Sequence, residues 1–546
     1  MIRLTTNPRL ARIVLPVCFA LALILALFYT FISNPAAGAY LKSIPVINQI
    51  PGTAPKKGND GLPKYKPTPT FTPPPVTDPF PLLASSAATP PPIPVYNVPR
   101  PEMHREYGLE RPPPLFIGFT RQWPMLLQAV VSYITAGWPA DGIYVVENTG
   151  VHYKNKEGKL SLQNPFYLNH TTLRRLGVNV LQTPTLLNFA QMQNFFLDYA
   201  YKEDHPYYFY SHQDVIVMSF EDGTDFTGRP GDRVYDIYDK EDEVGTLQAE
   251  PARKPGYRTI YENCLRELDN VVKRKERWGF RWFQYDHLTL VNREALDAVG
   301  GWDSMIPYYG TDCDMNGKLA MDGWTTKFRR VGIINDVSTV LDNLEAFYRN
   351  PKITPHFTDP NPLTPEKEAK IKEAKEKAAA EAKAKQEQAE AEAEKDAKAN
   401  EGDAKKDPNK PTEKKRARGE SQTETADPMP TDPVEYFRIL NKVTTDMGFH
   451  KYRDGDKYRN RWQKSQGGGF GEPYHYHAGG FARAFEILTG AGMQVYEEKW
   501  GHRGCDIQDT NLKLDDQWLV EKDWDDKPKK EATKAKANGR RGKVVV

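Results

Sequence analysis

Residues 115–120 read LFIGFT and residues 143–150 read IYVVENTG, with the stretch WPMLLQAVVSYITAG between them. The two short apolar runs are typical of buried strands, and the intervening segment has the length and composition of a helix. Strand, helix and strand in this order predict a βαβ unit with parallel strands. The sequence therefore indicates an α/β fold built around a doubly wound sheet.

Polar residues follow both predicted strands. Thr120 and Arg121 come after the first strand, and Glu147 and Asn148 come after the second. Ligands of open α/β sheets bind at the carboxyl ends of the strands, so these four side chains are expected to line one ligand-binding crevice. The alternative is that they belong to ordinary strand-to-helix loops.

A further predicted strand, PYYFY at residues 206–210, runs into SHQDV at residues 211–215. His212 and Asp214 are two positions apart, so both can face a metal ion if the backbone is extended there. The competing interpretation is a turn at the end of the strand, capped by Asp214.

The order of strand, VVENTG, helix and FYSHQD resembles the nucleotide-sugar-binding half of GT-A glycosyltransferases. This resemblance implies a GT-A-like, Rossmann-type mixed sheet with flanking helices and a nucleotide-sugar donor. It also implies a divalent metal, Mn²⁺ or else Mg²⁺, held by a DxD-like motif in which His212 stands at the first aspartate position and Asp214 at the second.

A second motif lies in residues 300–319, GGWDSMIPYYGTDCDMNGKL. It resembles an element of the galactosyltransferase and chondroitin synthase families, in which an aspartate opens a helix and deprotonates the acceptor hydroxyl. By position that residue is Asp312, and Trp302, Asp303 and Asp314 would lie on the acceptor side. A carboxylate at a helix amino terminus is stabilised as the anion, which suits a base. Alternatively, Asp312 is only a helix cap and Asp303 only a turn residue.

A glycine-rich segment, GGGFGEPYHYHAGG at residues 467–480, contains a His-x-His pair. The resemblance implies that His477 or His475 completes the metal site begun by Asp214. A surface loop with incidental histidines is the alternative.

Residues 13–32 form an apolar run without a charge, long enough to span a bilayer. Arg3, Arg9 and Arg12 precede it, so the positive-inside rule places the amino terminus in the cytosol and the rest in the lumen. We expect a single-pass, type II protein of the Golgi or ER membrane, anchored by this helix. A cleaved signal peptide is the alternative.

The remaining chain divides by composition. We expect seven parts, which are a cytosolic tail (1–12), a transmembrane anchor (13–32), a proline-rich stem (33–114), a catalytic domain (115–350), a low-complexity charged insert (351–431), the carboxyl-terminal part of the catalytic domain (432–510) and a basic tail (511–546). The net charge of +2 argues against a nucleic-acid partner. Four cysteines without a CxxC pair, one of them inside the apolar run, allow at most one intramolecular disulfide in the lumenal part.

Together these features predict a metal-dependent, inverting glycosyltransferase that moves a sugar from a nucleotide-sugar donor to a glycan or glycoprotein hydroxyl. Two alternatives stay open. One is a retaining transferase, and the other is a catalytically silent, membrane-tethered glycan-binding or assembly subunit with the same fold.

Overall fold

The computed structural model describes residues 75–85, 87–223, 250–359, 428–453, 461–464, 466–472 and 477–524, together with positions 365, 366, 369 and 373. The predicted anchor and most of the predicted charged insert lie outside these residues, as does His475. Within the described part, no helix is long and apolar enough to cross a membrane.

In the described part of the chain, nine strands form two sheets. Their bounds are β1 Leu115–Phe119, β2 Ile143–Glu147, β3 Asn179–Gln182, β4 Tyr207–His212, β5 Val215–Met218, β6 Trp278–Trp282, β7 Leu288–Asn292, β8 Thr325–Phe328 and β9 Ile333–Asp336. The main sheet has seven strands in the order β3-β2-β1-β4-β7-β6-β8, and β5 pairs with β9. Only β7 runs antiparallel to its two neighbours in the main sheet, so this sheet is mixed.

Helices pack on the main sheet from both sides. Their bounds are α1 Met103–Glu106, α2 Trp123–Thr135, α3 His152–Lys156, α4 His170–Arg175, α5 Phe189–Lys202, α6 Ile260–Lys273, α7 Arg293–Ala298, α8 Thr311–Met321, α9 Pro433–Tyr452, α10 Arg461–Lys464 and α11 Ala478–Trp500. Short 3₁₀ helices occupy Pro81–Ala84, Val95–Asn97, Ala140–Gly142, Leu344–Tyr348, Ile507–Asp509 and Leu514–Asp516.

Strand β1 shows why helices are needed on both faces. Successive side chains of a strand point to opposite faces, and both faces of β1 are apolar. Ile117 lies in a core with α2 and α6, whereas Phe116 stacks on Phe196 of α5 in a second core. The Rossmann-like α/β fold expected from LFIGFT and IYVVENTG is thus confirmed.

Residues 279–293 form a hairpin. Strands β6 and β7 pair antiparallel through a short connection at residues 283–287. Tyr285 in this connection has a φ of +49°, in the left-handed region that a tight reversal requires.

Both ends of the predicted catalytic domain differ from expectation. Residues 75–114 were assigned to the stem, yet Phe80 and Leu83 are buried in the core. Proline disfavours helices and sheets, but an extended segment can still pack its apolar side chains on a surface that other elements provide. At the other end, the amide of Trp518 donates to the carbonyl of Lys499, so part of the predicted basic tail packs against the end of α11.

Candidate functional site

The carboxyl ends of β1 and β4 meet at the point where the order of the main sheet reverses. From β1 the chain proceeds outward through β2 to β3, and then crosses to β4 on the other side of β1. Ser211 of β4 pairs with Leu288 of β7, so the hairpin connection 283–287 lies at the same edge. Such switch points are where open α/β sheets bind their ligands.

We call five of the part-exposed polar residues at this edge the strand-end cluster: Thr120, His212, Tyr285, Asp286 and Asp312. Gln213 joins the two parallel strands beneath them. Its Oε1 accepts the amide hydrogen of Thr120 at 3.1 Å, and its Nε2 donates to the carbonyl of Arg121.

Asp312 lies in the first turn of α8, as predicted. The helix begins after Gly310, whose φ of +85° favours glycine, and a Cβ at this position would lie 2.9 Å from the sulfur of Met493. Oδ2 of Asp312 accepts a hydrogen bond of 2.6 Å from the hydroxyl of Tyr285. Burial, together with the charges of Asp312 and Asp286, raises the pKa of Tyr285 well above its usual value. The phenol therefore stays protonated and remains a donor to the carboxylate.

His212 is part-exposed and lies opposite Asp286. Its Nε2 is 3.6 Å from Oδ2 of Asp286, and it has no hydrogen-bond partner among the described residues. Burial raises the pKa of the neighbouring phenol of Tyr210, and the charges of Asp286 and Asp312 raise it further. The charges of Asp286 and Asp312 therefore both act on the phenol of Tyr210.

Asp214 does not face the cluster as a free carboxylate. Its Oδ2 lies 2.6 Å from the ammonium of Lys451 at the end of α9, and the same ammonium lies 2.5 Å from Oδ1 of Asp336. The three side chains are 7%, 3% and 9% exposed, respectively. Burial opposes ionisation of Asp336, but Lys451 and His287 outweigh it and lower its pKa to about 2.

The predicted metal ligands are not brought together. Asp214 is neutralised by Lys451, and Nδ1 of His477 caps α11 by accepting the amide hydrogen of Gly480 at 2.8 Å. Across the described residues, no group of three or more histidine, cysteine, aspartate or glutamate side chains is placed to hold a metal ion. A Mn²⁺ or Mg²⁺ ion held by His212, Asp214 and His477 therefore does not fit this structure. Spacing along the strand could not reveal the lysine that pairs with Asp214.

The predicted donor residues after β2 are buried. Glu147 is 0% exposed and accepts hydrogen bonds from Asn155, His170 and Gln182 at 2.9 to 3.0 Å. Burial raises the pKa of Glu147, but these hydrogen bonds outweigh it and lower the pKa below its ordinary value. Asn148 accepts the amide hydrogen of Leu187 at 2.7 Å and thereby ties the loops together. Both residues shape the crevice from beneath.

Arg121 lies under the carboxyl-terminal part of the chain. Its guanidinium is 3.6 Å from the ring centroid of Phe481 in α11 and donates to the carbonyl of Gln463 in α10. The late region thus closes over the loop that follows β1.

The predicted acceptor-side aspartates share a second buried lysine, Lys499 of α11. Its ammonium lies 2.8 Å from Asp303 and 2.7 Å from Asp314, and the indole of Trp500 donates to Asp314. Burial raises the pKa of Asp303, but the hydrogen bond from Lys499 outweighs it and lowers the pKa. The two carboxylates therefore fasten α11 to the rest of the fold.

The other predicted acceptor-side residue, Trp302, is a core side chain. It is 5% exposed and packs edge-on against Phe189.

A disulfide joins Cys313, next to Asp312, to Cys505. The helix α8 and the segment of Cys505 approach closely because residue 317 is glycine; a Cβ there would lie 2.1 Å from Cδ1 of Ile507. The carboxyl-terminal segment thus holds the helix that carries Asp312.

The sequence indicated no role for Asp286 or Lys451. The motif YDH at residues 285–287 could have indicated Tyr285 and Asp286, since polar residues between apolar strands mark an exposed connection.

Comparisons with known proteins add little. The chain matches no family model and no curated protein. Among solved structures it is similar to the mannosyltransferase PcManGT from Pyrobaculum calidifontis, solved in complex with GDP-Man and Mn²⁺. The match has 10% identity and a TM-score of 0.25, and it covers 42% of this chain and 60% of that one. The chain thus spans less than two thirds of its neighbour's length, and a similarity this low carries no argument about activity.

Proposed function

We propose that the chain is a glycosyltransferase that moves a sugar from a nucleotide-sugar donor to a hydroxyl of a glycan or glycoprotein. The observation that carries the proposal is the carboxylate of Asp312, held by Tyr285 at the first turn of α8 and at the switch point of the sheet. A part-exposed carboxylate with a fixed direction is what a general base requires.

In this mechanism Oδ1 or Oδ2 of Asp312 accepts the proton of the acceptor hydroxyl. The acceptor oxygen then bonds to the anomeric carbon while the bond from that carbon to the diphosphate oxygen breaks. The nucleoside diphosphate leaves with the bonding electrons, and the anomeric configuration inverts. The donor would enter beside Thr120 and the loop after β1. Glu147 and Asn148 would form the floor of its crevice.

The proposed reaction uses no metal ion at Asp214, because Lys451 already occupies this carboxylate. The polar side chains of the strand-end cluster that remain to act on the leaving group are Thr120 and His212. His212 is the stronger candidate, since its ring is part-exposed and its Nε2 has no hydrogen-bond partner among the described residues.

A second candidate is a catalytically silent, glycan-binding subunit. The pairing of Asp214 with Lys451 favours it, because this pairing occupies the carboxylate that the resemblance assigns to the donor's metal.

We further propose that the catalytic part is lumenal, in the Golgi or ER. The apolar run at residues 13–32 and the preceding arginines support this topology. The disulfide between Cys313 and Cys505 supports an oxidising compartment.

The test uses the full chain in detergent with a panel of UDP-, GDP- and CMP-sugars. Release of the free nucleotide from one donor, in the presence of glycan acceptors, is the expected result. The anomeric configuration of the product, read by NMR, separates an inverting from a retaining reaction. Saturable binding of a glycan with no release from any donor would instead establish the silent subunit.

A further inference from the structure

Lys451 occupies the centre of a closed ionic cluster. Its ammonium contacts Asp214 at 2.6 Å and Asp336 at 2.5 Å, which are distances of strong, charge-assisted hydrogen bonds. The hydroxyl of Tyr452 donates to the second oxygen of Asp336, and Nε2 of His287 lies 3.6 Å from that oxygen.

The backbone also fixes this arrangement. Val215 pairs with Asp336 across β5 and β9, and the amide of Val337 donates to the carbonyl of Asp214 at 2.9 Å. Asp214, which directly precedes β5, and Asp336, which ends β9, are therefore held side by side by the backbone, independently of the lysine. A pair of carboxylates held in this way is a natural ligand set for a hard divalent cation.

We propose that the ammonium of Lys451 takes the place of a divalent cation at Asp214, so that the protein binds no metal through this residue. The lysine supplies one positive charge to two buried carboxylates, and a metal could reach Asp214 only by displacing it. Buried carboxylates need a cationic partner, and α9 brings that partner from a position 237 residues further along the chain.

The consequence for sugar transfer rests on the proposed function. In that reaction the leaving diphosphate would be stabilised without a metal ion on Asp214. The chain would then differ from the GT-A pattern in having the ammonium of Lys451 where a metal ion is expected, and it would still be active.

The experiment measures binding of Mn²⁺ alone to the full chain, from the loss of the electron paramagnetic resonance signal of aqueous Mn²⁺. Thermal unfolding with Mn²⁺ or with EDTA is the second readout. Three variants are compared with the wild type: Asp214→Asn, Lys451→Met and the double variant that combines them. Asp214→Asn keeps the contact of Lys451 with Asp336 and has nearly the same shape.

We expect Asp214→Asn to bind as much Mn²⁺ as the wild type, and EDTA to leave the Tm of both unchanged. Lys451→Met should gain a Mn²⁺-dependent rise in Tm, and the double variant should lose that gain. Mn²⁺ binding that is present in the wild type and lost in Asp214→Asn would overturn the proposal, as would a folded Lys451→Met that gains no response to Mn²⁺.

If Lys451→Met does not fold, the comparison of wild type with Asp214→Asn decides alone. Neither readout uses a donor. Absence of donor turnover would therefore overturn the proposed function and leave the result for Lys451 in place.

Discussion

The hydroxyl of Tyr285 donates a hydrogen bond of 2.6 Å to Oδ2 of Asp312, and this contact joins the hairpin of β6 and β7 to the first turn of α8. Two elements that differ in sequence position and in type thus meet at one carboxylate. The hairpin orients the carboxylate, and the helix start stabilises its charge.

Tyr285→Phe should lower kcat by roughly 10- to 100-fold, because a hydrogen bond to a charged group contributes about 1.5–3 kcal/mol. The KM for the donor should stay near the wild-type value, since Tyr285 acts through Asp312. Steady-state kinetics with the accepted donor provide both constants. Tyr201→Phe, at an exposed tyrosine on α5, is the matched control. An unchanged kcat would show that the contact does not orient the base.

Cys505→Ser should lower the free energy of unfolding by about 2–4 kcal/mol, because the disulfide with Cys313 closes a long loop. Denaturant unfolding measures the loss. Reductant should destabilise the wild type by a similar amount and should not affect the variant further. Equal midpoints for the oxidised wild type and the variant would mean that the disulfide does not form.

The stability contributed by His502 should depend on pH. Its Nε2 lies 2.9 Å from Asp506, and its Nδ1 contacts Asp523. Burial lowers the pKa of His502, but the two carboxylates outweigh it and raise the pKa above 6.5. A raised folded pKa means that the contribution is complete below 6.5 and is lost as the pH rises through the higher, folded value.

Thermal unfolding of the wild type and of His502→Gln, at mildly acidic and mildly alkaline pH, tests this sign. The difference in Tm should be largest on the acidic side. A difference that grows with pH would contradict the assignment of a cationic His502.

Protease treatment of intact vesicles should digest an amino-terminal tag and spare the part of the chain that carries Asn169. The reason is the arginine bias before residues 13–32. Detergent should then expose the spared part. A tag that is digested only after detergent is added would reverse the topology.

The sequence predicted β1, β2 and β4 well, because each is an apolar run bounded by polar residues. The resemblance of residues 300–319 to a known element also implied that Asp312 opens a helix, and α8 begins there. Local patterns of this kind depend on few neighbours and are therefore readable from one sequence.

The partners of the predicted site residues could not be read in this way. Lys451 reaches Asp214 from beyond the charged insert, and Lys499 reaches Asp303 from a position 196 residues away. The local pattern of apolar and polar residues does not show which element, distant in sequence, will pack against a given carboxylate. The pairing of Asp214 with Lys451 therefore could not be predicted, whereas the place of Asp312 in the first turn of α8 could.

The most direct test compares Asp312→Asn with the wild type in both donor binding and turnover. The amide keeps the shape and can still contact Tyr285, but it cannot accept the acceptor's proton. We predict that the Kd for the donor changes little while kcat falls by about 100- to 10,000-fold. Near-normal turnover by Asp312→Asn would contradict the account and leave Asp312 as a residue of the helix start alone.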